Sequence, residues 1–435
     1  MHFSPFFFFT TFIDIDTSTA TKTQEIKSML TRIKKHLEYV VSITFGAFLG
    51  FLFIGIPLLK DWLIKREDIW RLEDRSDAIP KLNVQTSIYG NHKTLIINGK
   101  TFHYVEAGNV HGPLILFIHG FPEFWYSWRY QLDGLKDMNH HLVAIDMRGF
   151  GGSYKPRDLE AYNPDHLLAD IRSFIQELSP NGRAACVVGH DWGGIISWAA
   201  AAQSWECDHA DQSGYMERLV ILNGPHTLVM SNNFTQKFSN AFYALNLKHL
   251  IKHPRQAIRQ SWEHVLPCFK QILMSYYIFI FRLPFSIGEK WIMSRDLGIM
   301  DHYVGGIPAE HITPDDVEIY KATYSSDNYA SVTCSLNYYR SEALTGMYDG
   351  QRARGIKQVG FIGIPTLVIW GEKDIALNKE MCLDNLEKYV TNLTIVRVPE
   401  ADHFIQQQCP EKVNDLIRKF ITSKGNLRDI DGNSN

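Results

Sequence analysis

A series of short apolar segments that each close on glycine most constrains what this chain can fold into. They are "PLILFIHG" (113–120), "HLVAIDMRG" (141–149), "RAACVVG" (183–189), "RLVILNG" (218–224) and "PTLVIWG" (365–371). A short continuous apolar run has the pattern of a strand buried on both faces, as in a parallel sheet. "LTIVRVP" (393–399) supplies a last strand, and "TLIINGKTFHYVEAG" (94–108) reads as a hairpin turning at Asn98-Gly99. Between the strands, Leu167, Leu168, Ile171, Phe174, Ile175 and Leu178 keep helical spacing. The chain closes on a helix that starts near Pro410 and carries Val413, Leu416, Ile417, Phe420 and Ile421 on one face. Strands alternating with helices predict a mostly parallel sheet with helices on both faces.

The alternation stops between about His226 and Gly350, where an aromatic-rich stretch reads as helices inserted over the sheet. The organisation expected is a tail (1–38), an apolar anchor (39–59), a connector (60–91), a core in two parts (92–226 and 351–425) separated by a helical cap (227–350), and a second tail (426–435). The anchor "YVVSITFGAFLGFLFIGIPLL" carries no charge. About 20 such residues span a bilayer, and Gly46, Ala47, Gly50 and Gly55 suit a membrane helix, so one N-terminal transmembrane helix is expected. A buried core helix is the competing reading. Basic residues flank both ends and leave orientation open. The expected location is a membrane crossed in a single pass, the endoplasmic reticulum before the plasma membrane.

Composition excludes several classes. With 45% hydrophobic and 21% charged residues in 435, the chain can bury a core, and a net charge of −3 gives no footing for nucleic acid. The 18 histidines are scattered, with no HExxH or CxxC, so no metal is expected. Cys186, Cys207, Cys268, Cys334, Cys382 and Cys409 read as single thiols. Asn233 and Asn392 head Asn-x-Thr sequons.

Polar residues stand where strands end. Asp191 lies in "GHDWGG", Asp374 follows "TLVIWGEK", and His403 follows "IVRVPEAD". Ligands bind beyond the carboxyl ends of parallel strands, so these residues can meet, and nucleophile, acid, histidine is the chain order of a hydrolase triad. The Gly-x-nucleophile-x-Gly elbow commonly holds serine. A serine attacking a saturated carbon would form an ether that activated water cannot break. A carboxylate forms an alkyl ester, which can be hydrolysed. Asp191 therefore points to a substrate electrophilic at an sp³ carbon, such as an epoxide or an alkyl halide. Its place at a helix N-terminus favours the ionised form. His403 would be the general base of the second step, oriented by Asp374.

With these residues in view, the chain resembles the epoxide hydrolases of the α/β-hydrolase fold, and among them the membrane-anchored animal enzymes. "HGFPEFWYSWR" (119–129), "DMRGFGGSYKP" (146–156), "GHDWGG", "LNGPH" (222–226), "WGEKD" and "ADHFIQQQCPEKV" carry the resemblance over roughly 94–421. It implies an oxyanion hole from the backbone N–H groups of Phe121 and Trp192. It also implies lid tyrosines that protonate the opening epoxide. Tyr277, with Phe281 and Pro284, matches one tyrosine motif, and "LNYYR" makes the other Tyr339, though Tyr276 and Tyr338 adjoin them. Phe281, Trp192 and Phe121 are expected to contact substrate. Expected partners are a lipophilic epoxide, such as a fatty-acid epoxide, and water, with no cofactor; the oligomeric state is left open. A haloalkane dehalogenase shares the aspartate, but a halide calls for N–H donors where Phe121 stands. A non-catalytic lipophilic-ligand binder would not need Asp191, Asp374 and His403 together.

Overall fold

The computed structural model describes residues 44–423, apart from 62, 64–67, 76–85, 210–213, 305–306 and 309. The hairpin forms as its sequence dictates. β1 (Asn91–Ile97) and β2 (Lys100–Gly108) pair antiparallel, with Ile97 opposite Lys100. Both turn residues take positive φ, 49° at Asn98 and 72° at Gly99, the conformation that suits an Asn-Gly turn.

Then follow β3 (Leu114–Ile118), β4 (His141–Ile145), β5 (Cys186–His190), β6 (Leu219–Leu222), β7 (Thr366–Gly371) and β8 (Leu393–Val398). They build one 8-stranded sheet in the order β1-β2-β4-β3-β5-β6-β7-β8. From β4 onward every pairing is parallel. Strands β3 to β7 are buried along their whole lengths, which explains their unbroken apolar sequences. Helix α1 (Pro164–Leu178) buries Leu167, Leu168, Ile171, Phe174 and Ile175. Helix α2 (Trp192–His209) follows β5.

Between β6 and β7 the chain is helical: α3 (Thr227–Ala244), α4 (Pro254–Met274), α5 (Tyr276–Phe281), α6 (Ile287–Tyr303) and α7 (Pro314–Arg340). Left-handed backbone at Arg295–Leu297 and at Asp327–Tyr329 kinks α6 and α7. The last helix, α8 (Pro410–Thr422), buries Val413, Leu416, Ile417, Phe420 and Ile421. Each such side chain contributes about 1.5–3 kcal/mol by leaving water.

The expected transmembrane helix is not supported. Among the described residues no helix is long and apolar enough to cross a membrane, and 39–43 lie outside them. The described part, 44–60, is helical with a π-turn at Phe51–Gly55. It lies against the cap. Leu49 is buried with Phe279, and the Phe45 ring meets Phe279 edge-on at 5.2 Å. A Cβ on Gly46 would come within 2.9 Å of the Phe279 carbonyl oxygen, and one on Gly50 within 3.4 Å of Leu283. Glycines that suit a membrane helix here let the segment approach α5. Further along, the buried Arg75 guanidinium pairs with Asp296 at the α6 kink (2.6 Å) and with Glu318, so this stretch is clipped to the cap. Asn233 is buried in α3 and donates to the carbonyls of Met381 (3.1 Å) and Asp384 (2.6 Å), which withdraws its amide from glycosylation in the folded chain.

Candidate active site

The site is built where β5, β7 and β8 end. Asp191 sits in the tight turn between β5 and α2 with φ 49°, a left-handed conformation that thrusts its side chain off the sheet. Glycines permit the turn. A Cβ on Gly193 would fall 2.1 Å from the Ile118 carbonyl oxygen, and one on Gly194 3.0 Å from the Cα of Gly224. Helix α2 can therefore press against the ends of β3 and β6.

Asp374, beyond β7, is held by groups that only donate. Its Oδ1 accepts the N–H groups of Ala376 (2.7 Å) and Leu377 (2.8 Å), and its Oδ2 accepts the Asn223 amide (2.6 Å). Oδ2 also meets His403 Nδ1 at 2.9 Å. An ionised carboxylate accepts only, so Nδ1 carries the proton and Nε2 is turned toward Asp191, 3.6 Å from its Oδ2. The other nucleophile oxygen, Oδ1, accepts the Phe121 N–H at 3.0 Å.

These groups are buried and their charges interact. Burial pushes the Asp191 carboxyl up, but the facing His403, with His190 and the Phe121 N–H, outweighs it and leaves the acid below its ordinary value. Burial alone would lower His403. Asp374 and Asp191 on either side of it reverse that and raise it well above the usual histidine range. The resting pair is therefore carboxylate and imidazolium.

The cap closes over Asp191 with phenols. Tyr277, Tyr339, Asp191 and His403 share one cavity of about 280 Å³ with Phe121 and Met274. The Tyr277 and Tyr339 rings lie edge to face at 5.9 Å, and Phe281 touches both, at 5.5 and 5.2 Å. Trp192 and Phe121 close on Tyr339 at 5.1 and 5.5 Å. Burial, then the Asp191 charge, holds Tyr277 well above its ordinary value; burial, then Tyr277 and Asp191, does the same for Tyr339. Both stay protonated. Their sequence neighbours separate in space. Tyr338 points away and donates to the Arg148 carbonyl (2.9 Å), whereas Tyr276 lines the cavity rim and packs beside Phe279. Arg340 clamps the lid, donating to the Phe281 carbonyl (2.7 Å) and forking onto Glu289 at 2.6 and 2.8 Å.

The sequence reading passed over Glu123 and His190, both fully buried. Glu123 accepts from the Gly120 N–H (3.2 Å), from His190 Nδ1 (2.7 Å) and from the amides of Gln406 (2.8 Å) and Gln407 (2.9 Å). His190 Nε2 reaches the His403 carbonyl oxygen at 2.8 Å. Burial raises Glu123, but the His190 charge brings it below its ordinary value. This network ties the Gly120–Phe121 loop, the elbow and the His403 loop together. Its signal was "HGFPE" and "GHD", charged residues inside motifs. Tyr303, His302 and Ile375 also line the cavity, with no sequence pattern to announce them. Among the described residues, no cluster of His, Cys, Asp or Glu could hold a metal.

The arrangement can attack an electrophile with a carboxylate, protonate the group it displaces, and hydrolyse the product ester. The family model described as alpha/beta hydrolase fold matches residues 113–408. Epoxide hydrolase 3 of Xenopus tropicalis is 33% identical over 346 residues, 77% of this chain and 79% of that protein. Epoxide hydrolase 4 of Homo sapiens is 31% identical over 340 residues, 76% and 78% of the two chains. A solved variant of an epoxide hydrolase from Bacillus megaterium, complexed with its product (R)-3-[1]naphthyloxy-propane-1,2-diol, superposes with TM-score 0.56 at 27% identity. It covers 76% of this chain and 99% of that one. A structure described among novel epoxide hydrolases in metagenomes from hot environments gives TM-score 0.57 at 28% identity, over 77% and 99%.

Proposed function

The chain belongs to the epoxide hydrolases of the α/β-hydrolase fold, and from that membership we propose that it converts lipophilic epoxides to vicinal diols through an ester on Asp191. The observation that carries this reading is the single cavity in which the Asp191 carboxylate faces both the His403 imidazole and the lid phenols.

In the first step an Asp191 oxygen attacks one ring carbon. The C–O bond breaks, its electron pair stays on oxygen, and that oxygen takes a proton from Tyr277 or Tyr339. Esterification removes the Asp191 charge that helped raise His403. The imidazolium then returns a proton to the tyrosinate, and His403 becomes a neutral base at the moment a base is needed. In the second step Nε2 takes a proton from water and the hydroxide adds to the ester carbonyl. The Phe121 and Trp192 N–H groups receive the oxyanion, and collapse frees the diol. Carboxylate and imidazolium are restored, so one epoxide and one water give one diol. Phe121, Trp192 and Phe281 would hold the substrate's apolar part.

This scheme makes a statement about charge. Asp191→Asn, neutral like the ester, lowers the His403 pKa relative to the parent, read by NMR titration of the labelled imidazole. In the parent, a raised His403 stabilises the fold fully below about pH 6.5. That contribution is lost as pH rises through the folded value. An unchanged titration in Asp191→Asn would contradict the coupling.

Long apolar epoxides suit the aromatic lining, and epoxidised fatty acids are the class we favour. Purified full-length protein is to be incubated with styrene oxide, an epoxy fatty acid and a chloroalkane. Diol from both epoxides, with the higher kcat/KM for the fatty acid, is expected. Halide release without diol would replace the reading by dehalogenation, and no product from any of them would remove it.

A further inference from the structure

Helix α4 is apolar on the side that faces away from the protein. Ala257, Cys268 and Gln271 are buried against the fold. On the opposite face Ile258, Trp262, Leu266, Phe269 and Leu273 follow helical spacing, and each is between 44% and 61% exposed. The Trp262 and Phe269 rings meet edge-on at 6.3 Å, so they form one surface. At 1.5 Å per residue the stripe is about 22 Å long. A soluble helix would carry polar residues there, and a core helix would bury these. Scattered exposed apolar residues mean nothing, but an ordered stripe marks an interaction face.

Charge says what kind of partner fits. Arg255, Arg259 and Lys270 are exposed beside the stripe, with Glu263 paired to Arg259 at 3.3 Å. An apolar helix face rimmed by basic residues has the design of a helix lying in a membrane interface, where apolar side chains enter the acyl boundary and cations meet anionic headgroups.

The stripe also leads somewhere. It ends at Leu273, and the next residue, Met274, lines the catalytic cavity together with Tyr276 and Ile375. Ile375 is 51% exposed, so it belongs to the mouth. Helix α5 begins there. On α5 rests the 44–60 segment, which exposes Phe48, Phe51, Ile56 and Leu59. Phe285, in the turn after α5, is 84% exposed. Apolar surface thus lies on α4 and around α5, the two helices that adjoin at Met274 and Tyr276 on the cavity wall.

We propose that this face of the cap, centred on α4, lies on an anionic lipid bilayer, and that lipophilic epoxide enters the cavity from the bilayer between Met274 and Ile375. The entry route rests on the epoxide-hydrolase reading; the docking does not. It needs no helix to cross the bilayer.

The full chain is to be mixed with vesicles of phosphatidylcholine and phosphatidylserine, with plain or brominated acyl chains. Brominated chains quench fluorescence only from indoles at acyl depth. The parent should be quenched, and Trp262→Phe should lose a resolved share of that quenching while binding equally. Trp262→Glu/Leu266→Glu/Phe269→Glu should bind these vesicles at least about tenfold more weakly, and the parent should weaken in salt or on phosphatidylcholine alone. Turnover of styrene oxide, which needs no vesicle, should stay at the parent level in the triple variant. That assay reports separately on the enzyme reading. Equal quenching of the parent and Trp262→Phe overturns the docking, as does undiminished binding by the triple variant. So does a lipid-free dimer of the parent that the triple substitution dissociates, since the face would then be a contact between copies.

Discussion

Asp191→Ala is expected to lose diol formation by on the order of 10⁴-fold or more, read as kcat/KM on any epoxide the parent turns over. The loss is large because Asp191 enters both steps, as the attacking group and then as the acyl part of the ester. Nothing nearby can replace it. Asp374 is occupied by Asn223, His403 and the N–H groups of Ala376 and Leu377, and it lies behind His403 as seen from the cavity. The variant should keep its fold, because His403 retains Asp374 as a partner (2.9 Å) and no buried charge is left unpaired. A variant that kept its fold and a substantial fraction of its activity would mean that water attacks the epoxide directly.

Tyr339→Phe with Tyr277→Phe is expected to be the next largest loss. Each phenol can protonate the departing oxygen, and general acids of this kind contribute about 10²–10⁴-fold. Either single variant should retain activity, since the rings lie 5.9 Å apart over the same nucleophile and one can act without the other. The double variant should fall well below both singles, chiefly in the alkylation rate seen in a single turnover. Ester hydrolysis, measured separately, should change little. Tyr338→Phe serves as the control. It loses only the bond to the Arg148 carbonyl, and should cost about 1 kcal/mol of stability and little activity. A large single effect at Tyr338 would move the acid to the wrong neighbour.

What the sequence could disclose follows from where its information lies. Strands β3 to β7 are buried on both faces, so burial itself writes their apolar runs and the sheet could be read directly. Asp191 and Asp374 follow two of these strands and His403 follows the partly buried β8, so the sequence could bring the three together because parallel strands align their ends. The choice between Tyr338 and Tyr339 was not legible by periodicity. It depends on which side of α7 faces the elbow, and that is fixed by packing of Tyr338 against Phe150 and Tyr162. Glu123 and His190 were passed over because their pairing shows only in the fold: they meet at 2.7 Å but lie far apart in sequence. The kinks in α6 and α7 likewise need no glycine or proline and leave no mark.

The apolar stretch near the N-terminus, read as a transmembrane helix, finds no support among the described residues. Lipid and a protein surface ask the same of a helix, apolar side chains with small residues where neighbours come close. Gly46 and Gly50 meet α5 and its following turn, so the same pattern also suits packing on the cap. The outward side chains of the segment remain exposed, and hydropathy alone cannot separate the two faces.

The central claim is that the reaction passes through an ester on Asp191, and mass spectrometry of the intact His403→Gln protein tests it most directly. This variant keeps the nucleophile and the lid phenols but lacks the base that activates water, so alkylation should proceed and hydrolysis should stall. Mixed with an epoxide that the parent hydrolyses, it should gain the mass of the whole epoxide, oxygen included, and digestion should place that mass on the peptide holding Asp191. A variant that stays unmodified while the parent turns over the same epoxide, or that carries the mass on a residue other than Asp191, contradicts the account.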